Sequence, residues 1–198
     1  LVGFQTPKMR VFLPNNDWLY FKIYCEYSVS DMIISENLIK IKESAMEQGL
    51  IDKWHFLRYK DMQGHQIRIR YHLVNPSMDN TMKVYSLLKD SLSKYTIDEI
   101  HTIKNDTYTR ELERYGADIY DDIEDIFSLD SDIHSKALKY LESDSDIRLL
   151  LGLYVVKRYA DMQFSSDKEK LEFVQMRVEE LSKDYHGGKE QRTYFNQK

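Results

Sequence analysis

The sequence predicts an α+β fold, a ferredoxin-like βαββαβ antiparallel sheet followed by a C-terminal helical layer. Two observations predict it. In the first half of the chain, segments of alternating apolar and polar residues are interleaved with segments whose apolar residues recur at helical spacing. From about residue 118 onward only the helical spacing remains.

The first predicted strand covers residues 18–25. Its odd positions, Leu19 to Cys25, are apolar and share one face, while Trp18, Tyr20, Lys22 and Tyr24 share the other. A helix is predicted over residues 31–48, with Ser30 as its N-cap and Gly49 as its stop. We expect this helix to pack on the apolar face of the strand.

The next three elements complete the repeat. Residues 54–60 and 66–74 read as two strands joined by a short connection that contains Gly64, which predicts an antiparallel hairpin. A turn signal at Asn75-Pro76 precedes a predicted helix over 79–94, and β-branched residues predict a fourth strand over 97–107. The two helices should cover one face of the sheet.

The second half predicts four helices, around residues 119–127, 133–141, 147–159 and 168–185. The resulting organisation is one domain over 1–198, with a lead-in (1–16), a sheet lobe (17–107), a helical lobe (108–187) and a tail (188–198). The first residue is Leu1 rather than Met, which is compatible with a fragment of a larger protein.

Composition argues against several classes of function. A net charge of −5 disfavours direct binding of nucleic acid through a basic field. Cys25 is the single cysteine, so neither a disulfide framework nor a cysteine-based zinc site is expected. No apolar run approaches the roughly 20 residues of a membrane span, and no signal-peptide pattern is present, so we expect a cytoplasmic protein without membrane insertion. The histidines lack metal-ligand spacing and no phosphate-binding glycine loop occurs, so we expect neither a metal nor a cofactor.

Arg68 and Arg70 are the most informative candidate site residues. Strand alternation places both guanidinium groups on one side, about 6 to 7 Å apart. If the first strand is a neighbour, Tyr20 and Lys22 line the same surface, which the two helices leave uncovered. Paired arginines there could grip a carboxylate. The alternative is that they form ion pairs with acids of the helical half.

A second cluster follows the fourth strand. Arg110 and Arg114 are four residues apart and would share one face of a helical turn, whereas Glu111 and Arg114 could neutralise each other. Spacing leaves both arrangements open. His65 flanks the arginine strand and is a candidate for proton transfer, with an ordinary hydrogen-bonded role as the alternative.

Taken in order, these segments resemble the C-terminal domain of class I lantibiotic dehydratases, a domain type also found in thiopeptide-type bacteriocin biosynthesis proteins. The resemblance spans roughly residues 11 to 135 and rests on Leu13-Pro14, residues 18–24, 51–61 and 65–70, Tyr108, Glu111, Arg114, Tyr115, Gly116, Glu124, Phe127, Asp130 and Ser131. Two positions depart from the family pattern, Met62 where Pro is usual and Ala117 where Gly is usual. The family's C-terminal histidine segment has no recognisable match, since His186 lacks the surrounding pattern.

The resemblance implies a function. In that family a glutamylation domain, or a separate glutamylating subunit, uses glutamyl-tRNA to glutamylate serine and threonine of a precursor peptide. The C-terminal domain then eliminates glutamate and leaves dehydroalanine or dehydrobutyrine. On this basis Arg68, Arg70, Arg114 and His65 are expected to be catalytic. The expected substrate-binding residues are Tyr20, Lys22, Arg58, Arg110 and Glu111.

Two other functions remain open at this stage. One is the thiopeptide-forming cyclase of the same fold family, which joins two dehydroalanines into a six-membered nitrogen ring. The other is a non-catalytic module that captures a precursor peptide on an edge strand. The sequence also leaves open whether the protein is a homodimer.

Overall fold

The computed structural model describes residues 9–141 and 145–184. Its strands are β1 (Val11–Phe12), β2 (Trp18–Cys25), β3 (Ile51–Asp61), β4 (Gly64–Leu73), β5 (Ile100–Asp106) and β6 (Tyr108–Thr109). Its helices are α1 (Tyr27–Met32), α2 (Ile39–Glu47), α3 (Met78–Leu92), α4 (Leu112–Tyr115), α5 (Tyr120–Leu141), α6 (Ser145–Gln163) and α7 (Asp167–Asp184).

The main sheet has four antiparallel strands in the order β3-β4-β2-β5. This is the strand order of the ferredoxin-like βαββαβ arrangement, so the predicted α+β fold is confirmed. The apolar face packs against α2 and α3. Its core includes Phe21, Ile69 and Trp54 from the strands and Leu38 and Leu88 from the helical side, each at most 3% exposed.

The first helical region differs from the prediction at its start. The helix begins at Tyr27, after Glu26 in extended conformation, and has no side-chain cap. Ser30 was predicted as the N-cap, which is wrong, since its hydroxyl lies in the first turn and donates to the Tyr27 carbonyl at 2.8 Å. Between α1 and α2 the chain forms a π-helical stretch, Ile33–Leu38, in which five of six residues are buried. The predicted stop is confirmed, because Gly49 has φ of 65°.

A small second sheet was not predicted. β1 pairs antiparallel with β6, with Phe12 opposite Tyr108. These two side chains pack with Trp18 and Tyr20 in a separate buried cluster. The sheet face that was expected to be uncovered is therefore partly covered. Two-residue strands carry too little alternation to be recognised from sequence.

Helix α5 runs beside the edge strand β3. It was predicted as two helices, but residues 120–141 form one continuous helix. Its buried positions include Ser131 and Ser135. These small polar residues interrupt the apolar stripe that would have predicted one continuous helix. Ser131 Oγ accepts a hydrogen bond from the backbone N–H of Phe56 at 3.0 Å. The serine hydroxyls of the helix thus provide hydrogen-bond acceptors for backbone N–H groups at the edge of β3.

The chain divides at residues 142/143 into two compact units. The first holds the sheets and α1 to α5, and the predicted division into a sheet lobe and a helical lobe at 107/108 stays a prediction. The second holds α6 and α7, which agree with the last two predicted helices and contact each other through Phe164 and Phe173, with ring centroids 5.2 Å apart. Among the described residues, no helix has the length and apolar character to cross a membrane. The predicted tail and His186 lie outside the described residues.

Candidate functional site

Strand register decides which predicted site residues meet. On β4, Arg70 lies opposite His55 of β3 and Tyr20 of β2, while Arg68 lies opposite Leu57 and Lys22. Directly paired residues on adjacent strands point to the same face of a sheet. The two arginines therefore share the face away from α2 and α3, as the sequence predicted.

A cavity of about 250 Å³ opens on this face. It lies among the sheet, β6, α4 and α5. Its lining residues are His55, Phe56, Leu57, Arg70, Tyr108, Thr109, Glu111, Tyr115, Tyr120, Phe127 and Asp130. The cavity has mostly aromatic walls and one buried cation.

Arg70 is that cation. Its residue is 9% exposed, and its Nε has no hydrogen-bond partner. The guanidinium carbon lies 4.4 Å from the ring centroid of Tyr20 and 4.7 Å from that of Tyr108. No carboxylate of the described residues pairs with it, and burial lowers its pKa from the ordinary value. A buried guanidinium that contacts two phenol rings, lines a cavity and has no anionic partner among the described residues is suited to bind an anion.

Arg68 lies at the side of this site and does not line the cavity. Its guanidinium stacks 3.6 Å from the ring centroid of Tyr59, and its Nε approaches Gln66 Oε1 at 3.4 Å. Arg68 also forms no ion pair within the described residues, and it is half-buried. The alternative that both arginines pair with acids of the helical half is therefore not supported.

His55 was not singled out by sequence. It is 4% exposed and surrounded by the rings of Trp18, Phe127 and Tyr108, at centroid distances of 5.3, 5.3 and 6.0 Å. Its Nδ1 has no hydrogen-bond partner. Burial, together with the Arg70 cation alongside, holds the pKa of His55 well below its usual 6.5. The ring is therefore neutral at neutral pH.

Tyr20 and Lys22 lie on the predicted face, but neither lines the cavity. Tyr20 is 4% exposed, and burial raises the pKa of its phenol. Lys22 Nζ is 2.5 Å from Asp106 Oδ2, and this hydrogen bond raises the pKa of the lysine. Tyr20 thus supports Arg70, while the charge of Lys22 is already matched by Asp106.

Arg110 has a structural position. Its Nε donates to Glu124 Oε1 at 2.8 Å and its Nη2 donates to Asp121 Oδ1 at 3.0 Å. Glu124 is 1% exposed and also accepts from the Tyr108 hydroxyl at 2.9 Å. The guanidinium of Arg110 is thus engaged in a buried ion pair and does not line the cavity, and its expected contact with substrate stays a prediction.

Of the two arrangements that residue spacing left open for this cluster, the structure shows the ion pair between Glu111 and Arg114. Arg114 Nη1 lies 3.3 Å from Glu111 Oε2, and both side chains are more than half exposed. Glu111 lines the cavity, whereas Arg114 does not. Arg114 is therefore near the site through Glu111 and through the ring of Tyr115, whose centroid lies 5.2 Å from its guanidinium carbon.

His65 and Arg58 lie on the opposite face of the sheet. Arg58 is opposite Ile67 of the core and forms an ion pair with Asp31 of α1. His65 alternates with Gln66 and contacts the Tyr27 ring at 5.4 Å. The structure therefore does not bring these two residues together with Arg68 and Arg70, since neighbours along a strand alternate between faces, and their expected roles stay predictions.

The fold and the site together define an α+β domain with a cationic, aromatic-walled cavity on one sheet face. The described residues contain no cluster of three or more side chains arranged as metal ligands. The chain belongs to the family of lantibiotic biosynthesis dehydratase C-terminal domains, whose model matches residues 18–198. The resemblance noted from sequence is thereby confirmed.

Two solved structures are similar to this chain. The tRNA-dependent lantibiotic dehydratase MibB from Microbispora sp. 107891 aligns with a TM-score of 0.57 and 20% identity, over 66% of this chain and 12% of that chain. TsrL aligns with a TM-score of 0.49 and 15% identity, over 68% of this chain and 38% of that chain. The chain thus spans well under half the length of either protein. No curated protein matches significantly.

Proposed function

We propose that this chain eliminates glutamate from glutamylated serine or threonine of a ribosomal precursor peptide, giving dehydroalanine or dehydrobutyrine. Family membership supports a role in lantibiotic dehydration. The observation that carries the finer proposal is Arg70, a buried guanidinium without an anionic partner in the described part of the chain, beside a cavity of about 250 Å³.

The chemistry of the substrate matches this site. A glutamyl ester carries one free carboxylate, and its ester carbonyl becomes a second carboxylate when the bond to the peptide breaks. A leaving group of this kind departs faster when a preorganised cation stabilises the developing charge. In this proposal Arg70, which lines the cavity, binds one carboxylate, and Arg68, two residues along the same face of β4, binds the other.

The proposal requires a glutamylating partner. The net charge of −5 disfavours binding of tRNA through a basic field, and we propose that glutamylation belongs to another domain or subunit that uses glutamyl-tRNA. MibB is a tRNA-dependent lantibiotic dehydratase, and its alignment with this chain covers 12% of its length. The partners we propose are therefore the glutamylated precursor peptide and the glutamylating component.

The test is an elimination assay. The chain is incubated with a synthetic peptide carrying one serine esterified by the α-carboxyl group of glutamic acid, and loss of glutamic acid is followed by mass spectrometry. We expect the wild-type chain to form dehydroalanine and Arg70→Met to be slower by about 10²–10³-fold. Arg70→Lys should recover part of the rate, since a lysine supplies charge without the planar fork.

A matched control separates loss of the site from loss of any surface arginine. Arg10 is exposed and forms an ion pair with Glu113 at 2.5 Å, outside the cavity lining. Arg10→Met should eliminate glutamate at the wild-type rate. If the folded wild-type chain releases no glutamic acid above the uncatalysed rate, or if Arg70→Met is as fast as wild type, the proposed function is refuted.

A further inference from the structure

The elimination also needs a group that accepts the α-hydrogen of the modified residue, and the cavity contains few candidates. The Tyr108 hydroxyl donates a hydrogen bond to Glu124 Oε1 at 2.9 Å, and burial raises the pKa of this phenol. Glu111 is paired with Arg114, and the Asp130 carboxylate lies 3.3 Å from His134 Nδ1. Each of these groups is already engaged by a neighbour.

His55 is different. It is 4% exposed, and its Nδ1 is a buried polar atom without a partner. An orphaned buried nitrogen costs free energy, typically about 1–3 kcal/mol, and therefore calls for an explanation. His55 also lines the cavity, so a ligand bound there lies beside this ring.

The charge of His55 also suits this position. A carboxylate base beside Arg70 would form an ion pair with it and occupy the donors that the substrate needs. A neutral imidazole leaves the guanidinium available. His55 and Arg70 are register partners on adjacent strands, so a carboxylate bound by Arg70 is brought next to the imidazole ring.

Substrate binding would strengthen the base. Burial and the Arg70 cation lower the pKa of His55 in the free protein. The other titratable groups that line the cavity around it are Tyr108 from β6, Tyr120 and Asp130 from α5, and Glu111 and Tyr115. A carboxylate bound to Arg70 cancels the repulsion by that cation, so the imidazole gains proton affinity only when the glutamyl group is in place.

Building on the proposed function, we propose that His55 is the proton acceptor of the elimination. A ring nitrogen takes the α-hydrogen, and the electrons of the C–H bond form the double bond between Cα and Cβ. The bond between Cβ and the ester oxygen breaks, and its electron pair leaves on the carboxylate of glutamate beside the arginines. The imidazolium then returns its proton to water.

The test removes the ring and supplies it again from solution. His55→Ala should lower the elimination rate on the glutamylated peptide by about 10²–10⁴-fold, the usual contribution of a general base. The variant leaves a hole that is continuous with the cavity. Added imidazole should restore part of the rate, and across a series of substituted imidazoles of similar size the restored rate should increase with the pKa of the added base.

Two further variants complete the design. His55→Gln keeps a polar side chain of similar size but cannot accept the proton, so it should lose the same activity. This variant keeps the test decisive even if His55→Ala does not fold. His72→Gln is the matched control, because His72 lies on the same face of β4, pairs with Asp52 at 2.6 Å and does not line the cavity. It should eliminate at the wild-type rate.

The outcomes separate this inference from the proposed function. If the wild-type chain does not eliminate glutamate, the proposed function fails, and this role fails with it. If the wild-type chain is active and both His55 variants retain more than a third of its rate, the assignment of His55 alone is overturned. Loss of activity that no imidazole restores, in a folded variant that binds the peptide and imidazole, also overturns proton transfer by His55.

Discussion

His55 and Arg70 lie directly opposite each other on β3 and β4, and both are at most 9% exposed. No acidic side chain of the described residues is bonded to either one. Burying a cation without an anion is unfavourable for folding, so this arrangement is retained at a cost to stability. Such a cost is expected where a site must hold its donors ready for a ligand.

The first prediction follows from the lack of an anionic partner for Arg70 among the described residues. Replacing Arg70 by methionine removes the buried charge and keeps much of the side-chain volume. It also removes two cation–π contacts, each contributing about 1–2 kcal/mol when buried. We expect the free energy of unfolding in urea to be unchanged or to rise by about 1–2 kcal/mol while elimination is lost. A fall of more than about 3 kcal/mol would identify Arg70 as a structural residue.

Arg110 should behave in the opposite way. Its removal leaves Glu124, 1% exposed, with the Tyr108 hydroxyl as its remaining hydrogen-bond donor among the contacts described here. Breaking one side of a buried ion pair typically costs about 3–5 kcal/mol, and we expect that loss for Arg110→Met in urea unfolding. The double variant Arg110→Met with Glu124→Met should regain most of it. A single variant as stable as wild type contradicts the structural role.

Arg70 and Arg110 show which features of the site can be predicted from sequence and which cannot. Arg68 and Arg70 were placed on one face by strand alternation, which is a local property of the chain. The partner of Arg110 is 14 residues away, on α5, and no spacing rule identifies it. Tertiary packing gives Arg110 carboxylate partners, whereas Arg70 has none among the described residues.

The fold likewise has elements that can be predicted from the sequence and elements that cannot. The order β3-β4-β2-β5 could be expected because long segments with clear periodicity reveal both their type and their buried face. β1 and β6, of two residues each, could not, and they are the elements that bring Phe12 and Tyr108 over the polar sheet face. His55 was therefore seen as one histidine among six, since its burial depends on that cover.

The edge of β3 provides a third prediction. Ser131 is 2% exposed and accepts from the Phe56 N–H at 3.0 Å, whereas Ser128 receives only a 3.5 Å contact from the Trp54 N–H. Ser131→Ala leaves the Phe56 N–H without an acceptor and should cost about 1–3 kcal/mol of unfolding free energy. Ser128→Ala is the comparison and should cost less than about 1 kcal/mol.

Hydrogen exchange reports on the same contact. The Phe56 amide should exchange faster in Ser131→Ala than in the wild-type protein, beyond what the change in global stability explains. Equal protection of this amide in both proteins would mean that α5 does not hold the edge of β3 through Ser131. This comparison does not depend on enzymatic activity.

The fourth prediction concerns acid stability and follows from the lowered pKa of His55. The unfolded chain binds a proton at this histidine near pH 6.5, while the folded chain binds it only at a much lower pH. The contribution of His55 to folding is therefore complete above pH 6.5 and is lost as the pH falls below it. Between these two pKa values the loss is about 1.4 kcal/mol per pH unit for one proton.

His55→Gln removes this proton from the balance. The other histidines are present in both proteins and cancel in the comparison, including His134, whose pKa is raised by its hydrogen bond with Asp130. The difference in unfolding free energy between the variant and wild type should therefore change steadily in favour of the variant from pH 6.5 to pH 5. Urea unfolding at half-unit pH steps measures it. A difference that stays constant over this range would mean that His55 is protonated in the folded protein as readily as in the unfolded chain, and a neutral, buried imidazole beside Arg70 would then be ruled out.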